Sequence, residues 1–427
     1  MDKQTGSASL RVGIFFDGTG NNQANAIDPD GGEAGSYGNA PSNIALLHAL
    51  YPTGLLGDQY FLKCYVEGVG TVQGAPDSAY DGLTGRGSTG VQTRVETALL
   101  EVAEQVRLCL ASASQVLPGY IAFDLFGFSR GAAAARHLAN RLAKGGQSLP
   151  SELQGDRVIE FVGLFDTVAA IVAPLRGNFD PANDDYDGLQ LGLGPGMARQ
   201  VVQLVAGDEQ RRNFPLIRSD NDIVVPGVHS NIGGGYPRSL REQVLLCKPK
   251  SSRVPATTPA ELTQAYMAVD ALLASAFAGL DGPRPVIQVW EEPLDAHRGR
   301  QEAPEKLVYA AVYREREVSG HLSRVYLSVM RELAVKGGVP FVALGEDEAH
   351  RLPEELQVIS RKLHDFALGR CLQLQLTPAE HALLRSRYVH TSAHWNAFMG
   401  LRNSALDMLY LNRPATGGRV VHDNPPN

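Results

Sequence analysis

The sharpest chemical signal in the chain lies at 127–131, where Gly127-Phe128-Ser129-Arg130-Gly131 fits G-x-S-x-G. An apolar run at 120–126 (YIAFDLF) precedes it, and alanines 132–135 follow at once. Strand, sharp turn and helix in that order form the elbow that exposes a serine hydroxyl as a nucleophile. The flanking glycines lack the Cβ atoms that would collide in so tight a turn. The small alanines let the helix begin close to a sheet. The hydroxyl then projects at the positive end of that helix, where developing negative charge is favoured. The same five residues also fit an ordinary glycine-rich strand-to-helix turn, so the partners decide.

An elbow serine needs an acid and a base, which in α/β hydrolases follow it in the order Ser, Asp or Glu, His. Asp166 closes the apolar run VIEFVGLF at 158–165 and therefore sits at the carboxyl end of a strand, the edge where open parallel sheets place their sites. An Asp before Thr at such a place is also an ordinary turn residue. Asp222 opens its run and Asp124 lies inside one, so both are weaker candidates. Among eleven histidines, His229 in VVPGVHSNIGGGYP stands just after an apolar run, in a glycine-rich loop able to approach the elbow. His390 and His394 (YVHTSAHWN) also follow the acid and are the alternative. His137 shares the elbow's helix, eight residues on, and reads as structural.

These residues need elements to hold them. Runs at 11–16, 60–66, 120–126, 158–165 and 222–225 read as strands. Helical spacing covers 42–50 (Ser42 as N-cap), 91–110, 132–142 and 197–205. Strands separated by helices imply an α/β fold with a mostly parallel sheet flanked by helices. The Gly-, Asp- and Pro-rich stretch at 174–196 is too long for an ordinary connection and reads as an insertion, a possible lid. KPKSSRVPATTP near 248–259 reads as a linker. Beyond it, helices are expected near 259–279, 321–335, 346–367 and 378–387, with possible strands at 286–290 and 307–313. The expected organisation is a hydrolase core at 1–247 and a largely helical accessory region at 248–427.

Composition narrows the function classes. Hydrophobic residues at 44% and charged residues at 20% are globular values, and a net charge of −7 gives nucleic-acid binding no electrostatic support. Four cysteines without a CxxC pair exclude a disulfide scaffold and a zinc knuckle. No secretory leader follows the first residues and no 18-residue apolar run occurs, so a chain made in the cytoplasm without a signal peptide is expected. FFDGTG invites comparison with phosphatases that carry DxDGT at the end of the first strand. Phe15 stands at their nucleophile position and can neither attack phosphorus nor bind magnesium.

Five blocks in order, FFDGTGNN (15–22), SNI (42–44), GFSRGAAAAR (127–136), LFDTV (164–168) and PGVHSNIGGGYP (226–237), resemble the first class of type VI secretion lipase effectors and related α/β-hydrolase domains of bacteria and fungi. The resemblance spans roughly residues 10–240. It implies a Ser129–Asp166–His229 triad and phospholipase A activity on glycerophospholipids, with no metal or organic cofactor. An oxyanion hole is expected from the backbone of Arg130 and, by analogy with other hydrolases, of Gly18 or Thr19 in the loop after the first strand. It further implies a membrane phospholipid substrate, a secretion-system spike as carrier, an immunity protein, and delivery to a rival's periplasm or membrane. The family loop commonly reads HSD where this chain has Asn231. A lid at 174–196 would bring Phe179, Tyr186, Leu189, Leu191 and Leu193 to the lipid. Two alternatives stand beside this reading: a soluble carboxylesterase, and an idle hydrolase-fold interaction module.

Overall fold

The structure is a computed structural model that describes residues 8–28, 35–112, 116–171, 180–294, 303–345, 347, 349–397 and 410–426. The first half runs β1 (Ala8–Phe16), α1 (Asn43–Leu50), β2 (Gly54–Leu56), β3 (Gln59–Val66), α2 (Ala79–Thr84), α3 (Val91–Ser112), β4 (Val116–Phe128), α4 (Arg130–Lys144) and β5 (Arg157–Phe165). It continues with β6 (Gln200–Ala206), β7 (Leu216–Ile217), β8 (Asp222–Val225), the short α5 (His229–Gly233) and β9 (Ser239–Leu245). The remainder holds β10 (Lys250–Pro255), α6 (Gln264–Leu272), β11 (Val286–Leu294), β12 (Glu305–Ser319), α7 (Leu322–Lys336), α8 (Glu354–Ala367), α9 (Pro378–Leu383) and β13 (Val421–His422).

Seven strands form one sheet in the order β2-β3-β1-β4-β5-β6-β8, and every neighbouring pair is parallel except β2-β3. The fold is α/β-hydrolase-like, as its strand pattern implies. Both faces are covered, so the strands are apolar along their length. In β1, Leu10, Val12, Ile14 and Phe16 pack with α3 and α4, while Phe15 joins Phe126 and Phe161 on the other face. That second face is closed by α1, α7 and α8, through residues such as Leu47, Val325, Met330 and Ile359. The region beyond residue 248 thus completes the main core. The sheet order reverses between β1 and β4, and the crevice at such a reversal is where open sheets bind ligands.

Three local expectations change. The helical spacing at 197–205 belongs to β6, paired with β5 and β8. A short apolar run does not distinguish a buried strand from a helix, and the β-branched Val201, Val202 and Val205 tip it to strand. The expected linker contains β10, the edge of a four-stranded antiparallel sheet with β9, β11 and β12. Its charges and terminal Pro suit an edge strand, and make it look like a loop. The strands expected at 286–290 and 307–313 lengthen to β11 and β12, so the C-terminal half pairs its helices with a sheet of its own. In the insertion, Phe179 lies outside the described residues. Leu191 and Leu193 are buried in the main core, with Tyr186 and Leu189 packed against it. These four side chains pack with the core, while Asp180 and Pro181, at the start of the described part of the insertion, line the cavity described below.

Candidate functional site

Ser129 follows β4 and caps α4 at φ +58°, a positive value that a non-glycine residue adopts only where its surroundings enforce it. Its N–H donates to the Phe165 carbonyl at 3.0 Å, and its carbonyl accepts from Ala132 and Ala133 as α4 begins. Both elbow glycines are required by close approach. A Cβ on Gly127 would lie 2.6 Å from Ala132 Cα, and one on Gly131 would lie 2.7 Å from the Phe16 carbonyl carbon. The end of β1 and the start of α4 therefore touch.

Asp166 directly follows β5, also at positive φ (+45°), and is wholly buried. His229 opens α5 just after β8, and its Nδ1 lies 2.6 Å from Asp166 Oδ2. With Nδ1–H given to the carboxylate, Nε2 carries the free lone pair. Phe128 and Phe214 pack against the imidazole, with centroids at 4.7 and 4.9 Å. Burial lowers the His229 pKa, and the bond to Asp166 only partly offsets this. Burial would raise Asp166, yet the Arg419 charge and the His229 bond outweigh it and hold the carboxylate well below its usual range.

Ser129 and His229 line one cavity of about 730 Å³, together with Thr19, Arg130, Phe214 and Leu411. Among the described residues no hydrogen bond joins Ser129 Oγ to the imidazole. Catalytic hydrogen bonds are often long without substrate. Arg130 begins α4, so its N–H has no intrahelical acceptor. The Gly18 N–H is committed: it donates to Asp17 Oδ1 at 2.7 Å. Of the two residues expected to supply the second donor, Gly18 thus has its N–H engaged, while Thr19 lines the cavity and its Oγ1 is held by Arg130 Nε at 2.7 Å. Asp17 fixes this loop, accepting also from Ser42 Oγ at 2.8 Å and Tyr65 OH at 2.7 Å. Among the described residues no cluster of three or more His, Cys, Asp or Glu could hold a metal ion.

The rival residues are placed elsewhere. Asp124 is buried against Arg11 (2.7 and 2.8 Å) and the Tyr51 hydroxyl, on the face opposite α4. Asp222 accepts from Ser219 and Gln203. His137 accepts from the Gln190 N–H. His390 stacks on Tyr236, and its Nδ1 faces Asn231 at 3.0 Å; His394 accepts from its own chain at Asn396. None lines the cavity. Asn231 ties α5 to the segment at 388–390, and Glu209 supplies the carboxylate near the loop, accepting the His229 N–H at 3.1 Å. The sequence reading missed Arg419. Its two terminal nitrogens reach the two Asp166 oxygens at 2.8 Å each, from 253 residues away, and no local pattern announces it.

Neither a protein-family model nor a curated protein matches the chain. Among solved structures it is similar to the Tle1 effector bound to the VgrG spike from the Type 6 secretion system. The identity is 26%, with a TM-score of 0.77, over 98% of this chain and 94% of that one. The two chains share one fold. An uncharacterized protein from Pseudomonas aeruginosa superposes at TM-score 0.46 and 20% identity, over 89% of this chain and 53% of that one, too loosely to support an argument. Among the described residues no helix is long and apolar enough to cross a membrane.

Proposed function

We propose that this chain is a serine ester hydrolase of the phospholipase A type, acting as a type VI secretion effector. One observation carries the chemistry: Ser129, His229 and Asp166 meet at the carboxyl edge of a parallel sheet, with His229 Nδ1 on Asp166 and Ser129 beside the same cavity. In the reaction His229 Nε2 takes the Ser129 proton as Oγ attacks the ester carbonyl. The N–H groups of Arg130 and Thr19 receive the oxyanion. The alcohol leaves with the proton from His229, and a water activated by the same nitrogen releases the fatty acid and regenerates Ser129. Asp166 orients the ring and stabilises its cation.

The phospholipid substrate and an immunity partner rest on the family resemblance. A spike partner and delivery by secretion are supported by the likeness to the Tle1 effector, which is bound to VgrG in its own structure. The soluble-carboxylesterase reading keeps one specific observation: Leu191 and Leu193 pack inward, which withdraws the support a lid at 180–196 would give to a lipid surface. Incubation with phosphatidylethanolamine–phosphatidylglycerol vesicles, followed by lipid analysis, tests the proposal. Lysophospholipid and free fatty acid should appear with wild type and vanish with Ser129→Ala. Turnover of a short-chain ester without vesicle hydrolysis would favour the esterase.

A further inference from the structure

Asp166 has more partners than the orientation of one imidazole requires. Oδ1 accepts from the Ala206 N–H at 3.0 Å and from Arg419 Nη1 at 2.8 Å, while Oδ2 faces His229 Nδ1 at 2.6 Å and Arg419 Nη2 at 2.8 Å. The guanidinium is 7% exposed and the carboxylate 0%. Two parallel bonds fix a carboxylate plane where a single bond leaves it free to turn. The third donor of the same side chain, Nε, binds the Phe214 carbonyl at 2.7 Å, and the Phe214 ring packs edge-on against His229. One side chain thus holds the acid and the loop behind the base.

Arg419 is delivered by the segment at 410–426. This strap runs beside β7 as β13, with Leu216 N–H on the Val420 carbonyl and Arg218 N–H on that of His422, both at 2.9 Å. In turn, β7 donates from Ile217 to the Thr167 carbonyl, one residue from Asp166. Leu411, Asn412 and Arg413 of the strap line the cavity. A strap that served packing alone would need no cation on the acid. We propose that Arg419 is a positioning residue for the hydrolysis, fixing the Asp166 carboxylate in the plane that presents Oδ2 to His229. The strap is therefore part of the catalytic apparatus. This rests on the hydrolase reading given above.

The charge has a second effect. Arg419 offsets the negative charge that Asp166 presents to the imidazole. Its removal leaves that charge uncompensated, favours protonated His229 and moves the acid limb of the rate profile to higher pH. The other charged groups facing His229 and Asp166 are Glu209 and Arg211, with Arg130, Asp180, Arg212 and Arg413 around the cavity; all stay in place in the variants. The test uses the full chain and a soluble short-chain nitrophenyl ester. Arg419→Gln should lower kcat about tenfold or more at near-constant KM and shift the acid limb upward by about half a pH unit or more. Arg419→Lys, which keeps the charge but not the paired geometry, should lose kcat with the limb unmoved. Ethylguanidinium should restore part of the activity of Arg419→Ala and none to Ser129→Ala. Folded variants with wild-type kcat and an unmoved limb would overturn the assignment. So would losses that follow only the unfolded fraction and resist rescue. An inactive wild type would overturn the hydrolase reading and this assignment with it.

Discussion

Gly131→Ala probes the site through its narrowest contact. The added methyl would lie 2.7 Å from the Phe16 carbonyl carbon, and closer still to the carbonyl oxygens of Phe16 and Asp17. Carbon atoms rest about 3.5 Å apart, so β1 and α4 must separate by roughly 0.8 Å. Neither side is a flexible side chain: one is the strand end that leads into Gly18 and Thr19, the other the first turn of the helix that carries Ser129 and Arg130. Overpacking of this kind typically costs about 1–3 kcal/mol. The catalytic loss should be larger, because the same separation pulls the Thr19 N–H from the Arg130 N–H, and a misplacement near 1 Å can cost about 10²-fold. The assay pairs kcat on a soluble ester with a thermal melt, so that the folded fraction is known. Gly155→Ala, at a glycine with nothing within 4 Å, is the neutral control. Wild-type kcat in a folded Gly131→Ala protein would refute the claim that elbow and oxyanion loop are held by backbone contact.

Three further outcomes are expected. Ser129→Ala and His229→Ala should each abolish ester hydrolysis and their double mutant be barely worse, because such groups act as a unit; His390→Ala and His394→Ala should keep most activity per folded molecule, and a large catalytic loss in either would move the base. The reaction needs neutral His229, and burial lowers its pKa, so the rate should fall with decreasing pH only below about 6.5, a limb above that value in kcat/KM being the contrary result. Asp124→Leu should destabilise by about 3–5 kcal/mol in urea melts by stranding Arg11, while leaving kcat of the folded fraction unchanged.

The sequence by itself determined the strand-turn-helix unit at Ser129, the placing of Asp166 and His229 after strands that end at one sheet edge, and the parallel sheet that presents them. The reason is local: Gly127, Ser129, Gly131 and the alanines form one strand-turn-helix unit, and Asp166 and His229 each follow an apolar run that ends at the same sheet edge. Helix spacing at 91–110 and the Ser42 cap were legible for the same reason, since periodicity and capping are properties of neighbours in sequence; the Ser42 side chain accepts from Ala45 N–H as expected. What lay beyond local reading was decided by contacts between distant segments. The run at 197–205 became a strand because β5 and β8 offered hydrogen-bonding edges on both sides. Gly18 lost its N–H to the Asp17 carboxylate and left Thr19 facing the cavity, a choice made by the packing of Tyr65 and Ser42 around that acid. Leu191 and Leu193 turned inward because the core had room for them beside Arg136 and Asn140, which bind the Leu191 and Gly192 carbonyls. Arg419 reaches Asp166 only once β13 lies beside β7, and no spacing along the chain encodes a contact across 253 residues.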